Sequence, residues 1–430
     1  MSIRRAQDER IEGTPDGLNA VTEIVDVPDA PTIGTATAGA AGSGQATVTY
    51  TAAATGGAVT TFTATSTPGS LTGTGASPIT VSGLTIGTAY TFTVKGTNST
   101  ATGPESAASN SVTPTEIPQA GYLMGGFTVE SSTRRSSTQK ITFSSDTVST
   151  IAANLNLARS HGAGFANSGT AGYSAAGVEG GGTNTRRIDK LNFAADTVSN
   201  TVTNMSSGAT AATQAAAMAN SGTAGYIAGG DKTEGGVSYR TSIDKLTFSN
   251  DTISVLGATL SQMQTRWSGC ANSGTAGYYS GGYNNGELNI GSTIVKLLFS
   301  NETRSNLAAT INANIDSNAS HANSGTAGYW LGGFQTQVAL TGAISKLPFS
   351  TESRSTLGVT ITARDMLSAF SKSGTAGYTV GGTGRSGSYG GQNSITNVEK
   401  LAYSNDTIST GISLTYGVTF ASGFANSGTL

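Results

Sequence analysis

The stretch Asn220-Ser221-Gly222-Thr223-Ala224-Gly225-Tyr226-Ile227-Ala228-Gly229-Gly230, followed by Ile243-Asp244-Lys245-Leu246-Thr247-Phe248-Ser249-Asn250-Asp251-Thr252, decides how this chain is read. With small changes it occurs six times. Gly-Tyr falls at 121–122, 172–173, 225–226, 277–278, 328–329 and 377–378, at spacings of 51, 53, 52, 51 and 49 residues. Gly-Gly follows at Gly125-Gly126, Gly229-Gly230, Gly281-Gly282, Gly332-Gly333 and Gly381-Gly382, whereas the second unit reads Ala176-Gly177. An apolar-x-Lys-apolar-x-aromatic strand comes next, then a Ser-x-Asp/Glu-Thr turn, then a small-residue strand that runs into Asn-Ser-Gly-Thr. A repeat of this length is one supersecondary unit that cannot bury its own faces and must stack on its neighbours.

Four short strands per unit, six times over, predict an all-β chain whose residues 120–430 form a six-bladed β-propeller. The Tyr-x-x-Gly-Gly pattern with its following aromatic strand resembles kelch repeats. The outer-strand Trp of that family is missing, and its leading Arg stands only at Arg159 and Arg364. The resemblance speaks to architecture and leaves function open. The first Gly-Tyr follows a linker, Pro114 to Pro118, and lacks the small-residue strand that precedes the others. The end of the chain supplies one. Residues 416–426 are therefore expected to be the innermost strand of the blade built from 120–152, with Leu430 close to Ala120, hiding two sheet edges.

Upstream, Ala46-Thr47-Val48-Thr49-Tyr50, Thr61-Phe62-Thr63-Ala64-Thr65, Ile79-Thr80-Val81 and Tyr90-Thr91-Phe92-Thr93-Val94 alternate between turn residues. This pattern predicts an antiparallel sandwich. Residues 28–115 resemble a fibronectin type III domain in the Pro28/Pro31 entry, in Gly83 to Tyr90 before a strand, and in the exit Ser109 to Pro114. Tyr50 takes the place of that family's early core Trp. The resemblance implies a spacer. Residues 1–27 are polar and are read as an attachment segment, either a tail or a docking peptide.

Composition excludes several classes of function. Glycine is 59 of 430 residues, charged residues are 11%, and the formal net charge is -2, so nothing favours nucleic acid or an acidic membrane. One Cys rules out a disulfide framework, and two His leave little for histidine metal sites. No apolar run reaches the ~18 residues of a membrane span, so membrane insertion is not expected. Met1 to Arg10 has no apolar region behind its charges and is not a secretory signal. A Gly/Ser/Thr-rich β chain without an export signal fits a protein made in a host cytoplasm, assembled into a particle and released by lysis.

The repeats also weigh the chemistry. Two residues before each Asn-Ser-Gly, or before Lys372-Ser373-Gly374, stand Phe165, Met218, Cys270, His321, Phe370 and Phe424. Cys270 and His321 thus occupy a core slot, and His161 has no evident catalytic partner. Lys140, Lys190, Lys245, Lys296, Lys346 and Lys400 each precede by six residues an acid: Asp146, Asp196, Asp251, Glu302, Glu352 and Asp406. A six-fold feature serves architecture, and a cross-hairpin ion pair is the expected role. One acid per turn gives few ligands for calcium, which takes 6–8 oxygens. Gly180-Gly181-Gly182 lacks a following Lys-Ser/Thr and is no phosphate cradle. The expectation is a non-enzymatic protein with no cofactor and no metal.

The loops between second and third strands differ from unit to unit, while the Asn-Ser-Gly-Thr and Ser-x-Asp/Glu-Thr turns hardly change. The variable loops carry Arg134, Arg135, Arg186, Arg187, Tyr239, Arg240, Tyr283, Phe334, Arg385 and Tyr389, the candidate receptor-binding residues. Aromatic rings stack and guanidinium forks bond polar edges, which suits sugar or protein recognition. Changing Tyr239, Arg240, Arg385 and Tyr389 to Ala is expected to weaken attachment while leaving the melting temperature nearly unchanged. Fibronectin-like and propeller modules together are similar to phage structural proteins. That resemblance implies a virion protein, a tail or neck fibre or a head decoration. It would join other virion proteins through residues 1–27 and contact host surface polysaccharide or protein. Homo-oligomerisation is left open, since no heptad segment enforces it. The alternatives are a bacterial surface adhesin or lectin, and a kelch-like protein-binding scaffold.

Overall fold

A computed structural model describes residues 26–206, 213–232, 238–262, 264–284, 290–335, 339–385 and 392–427. Among them the chain is all-β: antiparallel strands and one 3-10 turn at Gly180–Gly182. It divides into two units, Met1–Glu116 and Ile117–Leu430.

In the first unit, Thr32–Ala38, Ala46–Thr51 and Ile79–Val81 form one three-stranded sheet, and Thr72–Thr74, Thr61–Thr67 and Thr91–Thr97 form another. Alternation sends Ala46, Val48, Ala64, Phe92 and Val94 into a common core with Ile79, Val81, Leu84 and Tyr90. Tyr50 is half-buried, its ring 4.5 Å from that of Phe62 and its hydroxyl donating to the Gly75 carbonyl at 3.0 Å.

The second unit holds six four-stranded antiparallel sheets. Sheet two is representative. Ala163–Asn167 pairs with Ala171–Ala175, which pairs with Arg187–Asn192, which pairs with Thr197–Asn204. Sheets three to six begin at Ala216–Asn220, Gln264–Asn272, Ala319–Asn323 and Ser368–Lys372. Sheet one takes its first strand from the far end of the chain, because Ser422–Asn426 pairs with Ala120–Met124, Phe424 opposite Tyr122. The expected strand is thus shorter than 416–426. Phe420 has φ 51°, and Thr419 instead exchanges two backbone hydrogen bonds of 2.9 Å with Phe127. The expected proximity of Leu430 to Ala120 falls outside the described residues.

First strands of neighbouring sheets touch in a closed cycle, sheet six to sheet one included. Two repeat signatures are made for that contact. The six slot residues are buried, and each presses on the glycine of the next sheet's Gly-Tyr. A Cβ on Gly225 would stand 2.1 Å from Phe165, and one on Gly121 would stand 1.9 Å from Phe370. The repeat needs glycine there for space. The Asn-Ser-Gly-Thr turns also reach sideways: the amides of Gly222, Gly274 and Gly325 donate to the side chains of Asn167, Asn220 and Asn272 in the preceding sheet at 2.8 Å.

The ion pairs differ from expectation. Each lysine pairs with the acid of the following sheet and not with that of its own hairpin: Lys140 with Asp196, Lys190 with Asp251, Lys245 with Glu302, Lys296 with Glu352, Lys346 with Asp406 and, closing the cycle, Lys400 with Asp146, at 2.5 to 2.7 Å. The register explains this. Lys140 lies opposite Ser149, two residues into the strand, while Asp146 sits in the turn with φ 52°. The hydroxyls of Tyr122, Tyr173, Tyr226, Tyr278, Tyr329 and Tyr378 donate to the same acids at 2.8 to 3.5 Å. Burial first, with the carboxylate beside it, raises the pKa of Tyr122, Tyr173, Tyr226, Tyr278 and Tyr378, so these hydroxyls remain donors.

Candidate functional site

Each first strand has two ends. At the Asn-Ser-Gly end the cavity holds about 170 Å³, lined by small residues and by the slot side chains. The start of the strands is built differently. Of the fifteen described non-glycine residues with positive φ, twelve fall into two sets of six. One set is the six turn acids, whose side chains have the structural task just described. The other is His161, Gln214, Arg266, Ser317, Met366 and Phe420, with φ between 51° and 63°. Each amide of this second set donates to the carbonyl of the preceding member, His161 to Phe420, at 2.8 to 3.0 Å. The backbone ring repeats six times, and the side chains on it are all different.

A left-handed conformation costs an L-residue about 1–2 kcal/mol, and glycine adopts it freely. This chain uses glycine at many other left-handed positions. At these six positions it keeps six unlike side chains instead. They surround a cavity of about 90 Å³ that Trp267 and Asn318 also line. The His161 ring stacks on Phe420 at 3.7 Å. Burial, with the charges of Arg134 and Arg266 beside it, lowers the His161 pKa to about 3, so the ring is neutral at physiological pH. The Gln214 side-chain oxygen accepts hydrogen bonds from Arg266 Nε at 3.2 Å and from Thr265 Oγ1 at 3.3 Å. Asn318, 6% exposed, accepts a hydrogen bond from Ser268 at 3.2 Å, while its Nδ2 has no partner among the described residues.

The ten candidate residues from the variable loops divide. Three stand near this mouth. Arg134 acts electrostatically on His161, Tyr283 lies beneath Arg266 at 6.0 Å, and Tyr239 meets Tyr283 edge to face at 6.3 Å. Others are turned to internal tasks: Arg135 bonds Thr128 and covers the Tyr416 ring, Arg186 reaches the Ser206 carbonyl, and Arg187 pairs with Glu179 at 3.1 Å. Phe334 is half-buried at the start of a two-residue strand, Phe334–Gln335. Tyr389 lies outside the described residues, and Arg385 is described as strand backbone only.

Several variable loops are short hairpins, such as Phe127–Thr128 with Thr133–Arg134 and Asp231–Lys232 with Ser238–Tyr239. One expectation needs correction: Tyr239 and Arg240 are buried, at 7% and 3% exposure, so substitutions there do not spare stability. Arg240 pairs with Asp244 at 2.7 Å, both side chains inside. Arg159 with Asp189 at 2.6 Å and Arg364 with Glu399 at 2.9 Å make two more interior pairs.

In the sequence His161 looks isolated, and its five counterparts share no motif with it. A signal existed: each stands six residues before the Asn of Asn-Ser-Gly, or before Lys372, and that column holds six residue types. Cys270 and His321 are buried, and burial raises the Cys270 pKa and lowers that of His321 to about 3. Among the described residues there is no group of three or more His, Cys, Asp or Glu placed to hold a metal ion. No family model matches this sequence, and no curated protein is significantly similar to it.

Proposed function

We propose that this chain is a non-enzymatic structural protein of a phage virion, in which residues 28–115 are a fibronectin type III-like spacer and residues 120–430 a kelch-like six-bladed β-propeller that contacts the host surface. The closed cycle of first-strand contacts and the pairing of Ser422–Asn426 with Ala120–Met124 support the propeller reading. One observation carries the host-contact reading. The Asn-Ser-Gly-Thr ends of the sheets are uniform and tie neighbours together, whereas the opposite ends carry dissimilar side chains on a uniform backbone ring. A scaffold that repeats everything except one face has freed that face for recognition. The virion assignment rests on the likeness to phage proteins that combine such modules. Gold-labelled antibody against residues 120–430 tests it. Label on an appendage or head of the phage particle is the expected result, and label only on bacterial surfaces or in host cytoplasm would overturn it.

A further inference from the structure

We propose that the mouth ringed by His161, Gln214, Arg266, Ser317, Met366 and Phe420 is a binding site for a carboxylate-bearing sugar, such as a terminal hexuronic acid of an acidic surface polysaccharide. The inference rests on the host-contact reading for the origin of the ligand, and on the site itself for its chemistry.

Charge is the first argument. Among the described residues neither Arg134 nor Arg266 makes an ion pair, and the charges of both bear on His161 at the mouth. Arg266 is exposed, its Nε held by Gln214, which leaves its outer edge to a ligand. An oriented guanidinium matches a carboxylate with two parallel hydrogen bonds. The half-buried ring of His161 does not add a third charge, since it stays neutral above about pH 3.

The second argument is the surface beneath those charges. The His161 and Phe420 rings, stacked on each other at 3.7 Å, and the Met366 side chain line the mouth and give it apolar surface. The C–H groups of a pyranose can pack on such surface, while a bare phosphate or acetate makes little use of it. The third argument is the buried Asn318 donor, because an amide hydrogen left unpaired is costly unless a ligand or water accepts it. A hydroxyl or ring oxygen of the sugar answers that donor.

Saturation-transfer NMR and calorimetry on the full chain test the site with glucuronate, methyl glucoside and acetate. Glucuronate is expected to bind, with the other two at least about tenfold weaker, a difference of about 1.4 kcal/mol. Arg266→Gln and Arg134→Gln are expected to weaken glucuronate about tenfold each with the melting temperature unchanged. No binding of glucuronate to the native chain, equal binding of methyl glucoside or acetate, or full binding by both variants would overturn the proposal. Attachment to host cells is measured separately. A chain that attaches but ignores glucuronate refutes the sugar site and spares the host-contact reading, and the reverse pattern refutes the host-contact reading alone.

Discussion

At the scale of single residues, a repeated slot reveals what one side chain does differently. In five sheets the core slot is Phe, Met or Cys, and in the fifth it is His321, whose Nδ1 shares a 2.9 Å hydrogen bond with the Tyr403 hydroxyl. Tyr403 itself stands where the other third-strand motifs end in Phe, so each of the two polar groups meets the other in the core. Burial lowers the His321 pKa to about 3, against the usual value near 6.5. The unfolded chain therefore binds a proton below about pH 6.5 that the folded chain refuses. The stabilisation is complete above that pH and is lost as pH falls toward 3, at up to about 1.4 kcal/mol per pH unit. His161, lowered alike, adds to the slope. The double variant His321→Phe/Tyr403→Phe restores the apolar pair and is expected to flatten the stability–pH curve between about pH 6 and 4, read by urea denaturation. A second expectation corrects the loop reading. Arg240→Ala strands the Asp244 carboxylate inside and should cost about 3–5 kcal/mol, which a thermal melt would register.

At the scale of elements, sheets are joined by a small unit used six times: a Tyr hydroxyl, a Lys ammonium and the acid of the next sheet's turn. The acid has two partners and the lysine has one carboxylate. Glu302 accepts from both Lys245 and Tyr226, so Glu302→Gln removes the charge from two bonds. It is expected to cost about 1–2 kcal/mol, whereas Lys245→Met, at a side chain one-quarter exposed, should cost less than about 1 kcal/mol. A double-mutant cycle in denaturant checks the order. Equal costs would mean that the tyrosine bond contributes nothing.

At the scale of the whole second unit, closure by the last strand is the feature on which the others depend. Ser422–Asn426 covers the free edge of Ala120–Met124 and supplies Phe424 to the space beside Gly172, and the segment leading into it carries Phe420 and its link in the backbone ring. Cutting the chain after Thr415 removes all three and leaves an apolar sheet edge open to association. The truncated protein is expected to aggregate on size-exclusion chromatography, more than any protein with a shortened variable loop. A monodisperse truncated chain would mean that closure is dispensable.

The sequence by itself determined the all-β class, the six-fold repeat, the core slot shared by Cys270 and His321, and the origin of the closing strand. These are local: alternation, turn residues and period are written along the chain, and the absence of a strand before Gly121 can be counted. Only the tertiary structure decided which partners meet. Lys140 and Asp146 are six residues apart, yet the hairpin register turns the acid toward Lys400 of another sheet. Tyr239 and Arg240 look like loop residues, yet a short hairpin carries them inside. His161, Gln214, Arg266, Ser317, Met366 and Phe420 share no chemistry that a sequence motif could capture. What they share is a left-handed backbone and a hydrogen bond to the next sheet, and both exist only when six sheets are assembled.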